Sequence, residues 1–162
     1  MVKIIVGTDR PDSRSSQVAE IIQKLYEKSN TTSSILSLDS VGLSELRPSH
    51  YSEAKPASLQ KAVDELLEAD GMHVVVPEYN GSMPGVLKTF IDHWKYPDSF
   101  EHRPVCFVGL GGLFGGLRPV EHLQQVFGYR NSFIYPDRVF LINVWNILKA
   151  VSYTHLTLPT KA

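Results

Sequence analysis

The sequence predicts an α/β protein built on one doubly wound parallel sheet of five strands, in three α/β/α layers. Two observations lead to this prediction: short continuous apolar runs, and amphipathic helical segments that alternate with them along the chain. Continuous apolar runs are typical of strands that are covered on both faces. Regular alternation of strand and helix favours parallel strands joined by helical crossovers.

The strands are predicted at four strong apolar runs and at one weaker run. The strong runs are VKIIVG from Val2, MHVVV from Met72, VCFVGL from Val105 and VFLINV from Val139. The weaker run, SSILSL from Ser33, contains more polar residues.

The helices are predicted where apolar residues recur at helical spacing. In the first helix the positions i, i+3, i+4 and i+7 are all apolar, at Val18, Ile21, Ile22 and Leu25. The later helical segments are SLQKAVDELLEAD from Ser58, GVLKTFIDHW from Gly85 and LRPVEHLQQVF from Leu117.

Composition indicates a single domain, which we assign to residues 1–150. The chain has 162 residues, of which 43% are hydrophobic, and its net charge is −1. This charge gives no reason to expect nucleic acid or a membrane surface as a partner. Apolar runs stay well below the roughly 18 to 20 residues that span a bilayer. The single cysteine, Cys106, lies in an apolar run and is interpreted as inert packing, and a cytoplasmic location is expected.

The first loop, GTDRPDSRSSQVA at residues 7–19, is a candidate phosphate cradle. It joins a strand to a helix N-terminus, where free amides and the helix dipole favour an anion. Arg10 and Arg14 add cationic donors, which Asp9 and Asp12 partly offset. Hydroxyl donors come from Thr8, Ser13, Ser15 and Ser16. The alternative is an ordinary helix cap, since serine is a usual N-cap residue.

Two further loops follow strands that are expected to end at the same edge of the sheet. These are PEYNGSMPG after the third strand and GLGGLFGG after the fourth. Ligands of open α/β sheets bind beyond the carboxyl ends of the strands. A dinucleotide fingerprint starting at Gly109 fails, because Phe114 stands where its last glycine is required. The glycines are therefore interpreted as a loop whose backbone lies close to a flat ring.

Together the three loops resemble the NADPH-dependent FMN reductase family, over about residues 2–144. The most specific part is PEYNGSMPGVLKTFIDHW, where Thr89-Phe90 replaces the family's usual Asn-Ala. The resemblance implies a flavodoxin-like fold with FMN bound at the three loops. The implied contacts are Thr8, Arg10, Ser13, Ser15 and Ser16 in the first loop, Pro77, Glu78, Tyr79, Asn80 and Gly81 in the second, and Gly111, Gly112 and Gly115 in the third.

The resemblance implies that the flavin supplies the chemistry, so no catalytic residue and no metal site are expected. Tyr79 is expected either to line the pocket or to pack on the next helix, and Glu78 to fasten its loop rather than to act as an acid. Arg118 is considered as a contact of the nicotinamide nucleotide, with a simple surface position as the alternative.

The implied function is an FMN-dependent oxidoreductase. It takes hydride from NADPH or NADH and passes electrons to a quinone-like or other small acceptor by a ping-pong scheme. A homodimer or homotetramer is implied, with Phe90, Trp94 and Tyr96 as candidate interface residues. Trp94 and Trp145 are interpreted as core or interface residues. The alternative functions are a flavodoxin-like electron carrier and an FMN-binding sensor without nicotinamide turnover.

The end of the sequence departs from the family. The resemblance implies a C-terminal helix after the fifth strand, and we expect that helix to be missing here. Residues 151–162, VSYTHLTLPTKA, show no amphipathic period. We interpret them as a non-native tail, with an ordinary divergent tail as the alternative, and expect part of one sheet face to be bare.

Overall fold

The computed structural model describes residues 1–42, 45–47 and 54–148. Its strands are β1 (Val2–Val6), β2 (Ser33–Ser37), β3 (Gly71–Pro77), β4 (Pro104–Gly111), β5 (Phe133–Ile134) and β6 (Val139–Ile142). Its α-helices are α1 (Arg14–Lys28), α2 (Ala57–Leu67), α3 (Gly85–Asp92), α4 (Leu117–Tyr129) and α5 (Val144–Ile147). Within these ranges we find no helix long and apolar enough to cross a membrane.

The strands form one sheet in the order β2-β1-β3-β4-β5, with β6 also paired to β4. Every pairing is parallel. Because β5 pairs with the start of β4 and β6 with its end, the two short strands share one position in the sheet. The predicted parallel sheet of five strand positions is confirmed. The extra strand β5 was not predicted, because two residues are too few to show a periodic pattern.

Helices cover both faces of the sheet. Helices α2, α3 and α4 pack on one face, where Phe90, Trp94 and Phe127 form edge-to-face ring contacts inside the larger core. Phe90 is 0% exposed and Trp94 is 6% exposed, so both belong to this core. The core interpretation of Trp94 is therefore confirmed, and the interface interpretation of Phe90 is wrong. Tyr96 is exposed.

The opposite face carries α1, whose Val18, Ala19 and Ile22 pack on the sheet in a second, smaller core. Beside α1 runs an apolar groove of about 270 Å³, with Leu25, Val139 and Leu148 in its walls and His73 in its lining. Residues 149–162 lie outside the described residues. The predicted non-native tail, residues 151–162, and the expected absence of a C-terminal helix therefore stay predictions.

The order of the strands determines where a ligand can bind. The chain runs from β1 outward to β2 and then returns past β1 to β3. The carboxyl ends of β1 and β3 therefore lie at the point where the winding direction reverses, which is the usual ligand crevice of such sheets.

Candidate functional site

The loops after β1, β3 and β4 meet around one cavity of about 220 Å³. The first loop lines it with Arg10, Pro11, Asp12, Ser13, Arg14 and Ser15. The other walls come from Pro77, Glu78, Tyr79, Leu110, Gly111, Val144 and Trp145. The structure thus brings together predicted residues from all three loops.

The first loop ends in a capped helix. Ser13 has the extended backbone of an N-cap, and its Oγ accepts a hydrogen bond of 3.1 Å from the amide of Ser16. The hydroxyls of Ser13 and Ser16 lie 2.9 Å apart and share a second hydrogen bond. The helix-cap interpretation is therefore right for Ser13.

The cap leaves other groups available to a ligand. The amides of Arg14 and Ser15, at the first two helical positions, have no acceptor within their own helix, and the helix dipole makes this end electropositive. Arg10, Arg14 and Ser15 lie in the same wall of the cavity. This wall has the chemistry of an anion cradle.

Thr8 lies behind the cavity wall rather than in it. Its side chain is 1% exposed, and its Oγ1 lies 2.9 Å from the hydroxyl of Tyr79. The same oxygen accepts a hydrogen bond of 3.3 Å from the amide of Arg10. Thr8 therefore braces two loops against each other.

The loop after β3 contains a tight turn at Asn80-Gly81. The amide of Tyr79 donates to the carbonyl of Ser82 at 2.9 Å, and the amide of Ser82 donates back at 3.1 Å. Asn80 has φ 50° and Gly81 has φ 78°, the left-handed values of a type I′ turn. Neither residue is among those that line the cavity. The Asn-Gly dipeptide is a strong sequence signal for a turn of this type, although the turn was not predicted.

Tyr79 and Glu78 both line the cavity from this loop. Tyr79 is 39% exposed, so it is not packed inside the protein. Glu78 Oε1 lies 2.9 Å from Arg118 Nη1, in an ion pair between the loop and the first turn of α4. A second contact joins Ser82 Oγ and His122 Nδ1 at 2.8 Å. These contacts fasten the loop to α4, as the fastening interpretation of Glu78 requires.

The glycine-rich loop after β4 lies against its own protein. Gly116 has φ +83°, and a Cβ at this position would stand 2.5 Å from the backbone nitrogen of Leu110. Gly115 faces Phe140 and Ile142, whereas Gly112 faces the indole of Trp145. Of the predicted glycines, Gly111 lines the cavity. Much of the glycine content is therefore explained by backbone packed on backbone.

Sequence reasoning missed several residues of the cavity wall, of which Trp145 is the largest. Its interpretation as a core or interface residue left it out of the predicted site. Its position was a usable signal, since Trp145 follows the last strand and so lies at the carboxyl edge of the sheet.

Cys106 and His73 lie in the sheet and do not line the cavity. Burial raises the pKa of the Cys106 thiol to about 11, which keeps it protonated and unreactive near neutral pH. In the described part of the chain, no cluster of His, Cys, Asp and Glu side chains could hold a metal ion.

The cavity suits an elongated ligand with an anionic end and a flat apolar end. The cationic, hydroxyl-bearing wall lies in the first loop, whereas Pro77, Tyr79, Leu110 and Trp145 offer apolar or aromatic surface. FMN has this form, with a phosphate at one end and a planar ring at the other. The donor set of the cavity therefore fits FMN.

Comparison with known proteins gives the same assignment. Residues 1–146 match the family described as NADPH-dependent FMN reductase. The chain is 29% identical over 137 residues to a quinone reductase of Escherichia coli K12, covering 82% of this chain and 72% of the relative. It is 30% identical over 134 residues to 2-hydroxy-1,4-benzoquinone reductase of a Burkholderia species, covering 79% and 70%.

A solved structure of an NADH:FMN oxidoreductase in its apo form has a TM-score of 0.75 and 20% identity, and the likeness covers 93% of this chain and 80% of that one. This likeness confirms the flavodoxin-like fold. The family match covers most of the chain. The chain therefore belongs to the NADPH-dependent FMN reductase family and is an FMN-dependent NAD(P)H oxidoreductase.

Proposed function

We propose that the cavity at the carboxyl ends of β1, β3 and β4 is the FMN site and that quinone-like compounds are its electron acceptors. The main support is that an anion cradle and a flat apolar wall meet in one cavity. The names of the quinone reductase relatives support the acceptor class.

In this proposal the first loop binds the phosphate. Arg10 and the amides of Arg14 and Ser15 donate to phosphate oxygens, and Ser15 adds a hydroxyl. Ser13 and Ser16 hold the helix start in place through their mutual hydrogen bonds. Arg10 has the leading role among the cations, because it is the arginine that the family resemblance implies as an FMN contact.

The other two loops hold the ring. Pro77, Tyr79 and Gly111 lie along the apolar part of the cavity, and Asn80 and Gly81 form the turn that shapes the loop. When bound, FMN supplies reversible hydride chemistry. The protein orients the ring and excludes water from its edge. Glu78 holds the loop in place and takes no part in the reaction, since its carboxylate is paired with Arg118.

NAD(P)H and the acceptor use the same open side of the cavity in turn. This arrangement gives ping-pong kinetics, in which the acceptor enters only after the oxidised nucleotide leaves. An electron carrier or a sensor without nicotinamide turnover is the less favoured alternative, since the family match is to a reductase family.

A homodimer or homotetramer and a cytoplasmic location belong to the same proposal. Exposed aromatic side chains support an interface near α4 and β5, with Tyr129 at 81% and Phe133 at 60% exposed. Light scattering on the purified protein measures the assembly directly. A monomer at micromolar concentration would contradict this part of the proposal.

The deciding experiment is anaerobic. The FMN-loaded protein is mixed with NADPH or NADH while the visible absorbance of the flavin is followed, and a quinone is then added. Bleaching by the nucleotide followed by recovery with the quinone is the expected result. A flavin that binds and stays oxidised would favour the carrier or sensor, and failure to bind FMN would overturn the site.

A further inference from the structure

Trp145 lines the cavity from a backbone that core packing and a hydrogen bond hold in place. It is the second residue of α5, directly after Val144, which is 5% exposed and packs in the core beneath α1. The amide of Asn143 donates a 3.0 Å hydrogen bond to the carbonyl of Gly112, which ties the end of β6 to the glycine-rich loop. These contacts therefore fix the position of the backbone that carries the indole.

The indole lies against Gly112. A Cβ on Gly112 would stand 3.2 Å from Cη2 and 3.9 Å from Cζ2 of Trp145. A Cβ at position 112 would therefore require the ring to move by a few tenths of an ångström. The absence of a side chain at Gly112 allows the indole to settle over the loop that follows β4.

The remaining surface of the indole is available to a ligand. Trp145 is 41% exposed and lines the same cavity as Arg10 in the first loop and Tyr79 in the second. A large, uncharged aromatic surface in a ligand cavity favours contact with a flat ring, because such contacts bury area and allow stacked or edge-to-face geometry.

We propose that Trp145 is the aromatic wall of the cavity and contacts the isoalloxazine ring of the bound flavin. The inference rests on the proposed FMN site and adds to it a ring contact from a residue outside the predicted set. Trp145 then contributes to flavin affinity only through its contact with the isoalloxazine ring and does not bind the phosphate.

The test compares two flavins and four proteins. FMN and riboflavin share the ring, but riboflavin lacks the phosphate. Dissociation constants for both flavins are measured by equilibrium dialysis with the wild type, Trp145→Ala, Trp145→Phe and Trp94→Phe. The fluorescence yield of the bound flavin is recorded in parallel, since an indole in contact with the ring quenches flavin emission.

Trp145→Ala is expected to weaken both flavins by the same factor, about threefold to tenfold, and to make the bound flavin brighter. Trp145→Phe should recover part of the affinity, because a smaller ring remains. Trp94→Phe is the matched control: it changes the other tryptophan, which is 6% exposed in the core, and should leave both flavin constants unchanged.

Unchanged constants and unchanged flavin emission in Trp145→Ala, with FMN bound by the wild type, would overturn this inference alone. A loss confined to FMN would also overturn it, because Trp145 would then act at the phosphate. A wild type that binds neither flavin would overturn the proposed site and the ring contact together.

Discussion

The hydroxyl of Tyr79 lies 2.9 Å from the hydroxyl of Thr8, and this hydrogen bond joins the loop after β3 to the loop after β1. Thr8 is almost fully buried, whereas Tyr79 is 39% exposed and faces the cavity. The pair therefore connects the proposed phosphate end of the site to its ring end. We expect it to keep the two loops at the separation that the cofactor requires.

Tyr79→Phe and Thr8→Val each remove one partner of this bond. A neutral hydrogen bond contributes about 0.5–1.5 kcal/mol, so each variant should weaken FMN binding by roughly two- to tenfold. Thr8→Val should cost more folding stability, because it also leaves the amide of Arg10 without its acceptor. A double-mutant cycle on FMN affinity should show a coupling of about 0.5–1 kcal/mol. Strictly additive effects would show that the contact has no role in binding.

Arg10→Ala tests the phosphate end of the site. Loss of a charge-assisted contact should weaken FMN binding by about 1.5–3 kcal/mol, whereas riboflavin, which has no phosphate, should bind as before. Arg14→Ala is the matched control from the same wall and is expected to have the smaller effect. Equal losses for FMN and riboflavin would mean that Arg10 supports the loop instead of binding phosphate.

Glu78→Gln tests whether the carboxylate fastens the loop or takes part in the reaction. The side chain of Arg118 in the ion pair is 48% exposed, so the pair should contribute no more than about 1 kcal/mol to folding. Reduction of the bound flavin by NADPH should slow by less than about tenfold, while hydrogen exchange in residues 77–84 should increase. Arg118→Gln should reproduce both effects. A rate loss of about a hundredfold or more in Glu78→Gln, but not in Arg118→Gln, would assign Glu78 a chemical role.

Gly116→Ala tests the close contact between the glycine-rich loop and β4. The φ of +83° costs an L-residue about 1–2 kcal/mol, and the Cβ would also lie 2.5 Å from the nitrogen of Leu110. We expect a total loss of at least about 2 kcal/mol in unfolding free energy, measured by urea titration. Gly85→Ala is the control, because its Cβ would meet nothing within 4 Å and alanine favours the helix. Similar unfolding free energies for the two variants would contradict the close contact between this loop and β4.

The sheet could be predicted from the sequence because each long strand is a continuous apolar run. Ile4 and Ile5 in β1 and Val74, Val75 and Val76 in β3 are all 0–1% exposed, as burial on both faces requires. The location of the site followed from topology, since loops after parallel strands meet at one edge. Arg10 and Ser15 were predicted from the loop after β1 and Pro77 and Tyr79 from the family resemblance, and all four line the cavity.

Details that depend on contacts between distant residues could not be predicted. The apolar pattern gives no sign that Thr8 would face Tyr79, or that Trp145 would cover Gly112, because both pairs are joined only by folding. The glycines of the third loop were predicted to approach a ligand, whereas Gly115 and Gly116 approach neighbouring backbone and side chains. A glycine pattern reveals a close approach but does not identify the neighbouring group.

His73 lies on β3 and lines the apolar groove beside α1, where Tyr26 from α1 and Cys106 from β4 are its neighbours. Its Nδ1 lies 3.1 Å from the hydroxyl of Tyr26. Burial lowers the pKa of His73 from 6.5 to about 4, so the imidazole is neutral in the folded protein at physiological pH.

In the unfolded chain His73 recovers its ordinary pKa and binds a proton below about pH 6.5. The unfolded state then holds more protons than the native state between about pH 6.5 and pH 4, so folding stability falls as the pH is lowered through this window. The expected loss is roughly 1 kcal/mol for each pH unit, measured by urea unfolding between about pH 7 and pH 5. His73→Asn keeps a polar atom for Tyr26 but cannot titrate, so its stability should change less with pH. Parallel stability curves for the variant and the wild type would show that the groove does not hold His73 neutral.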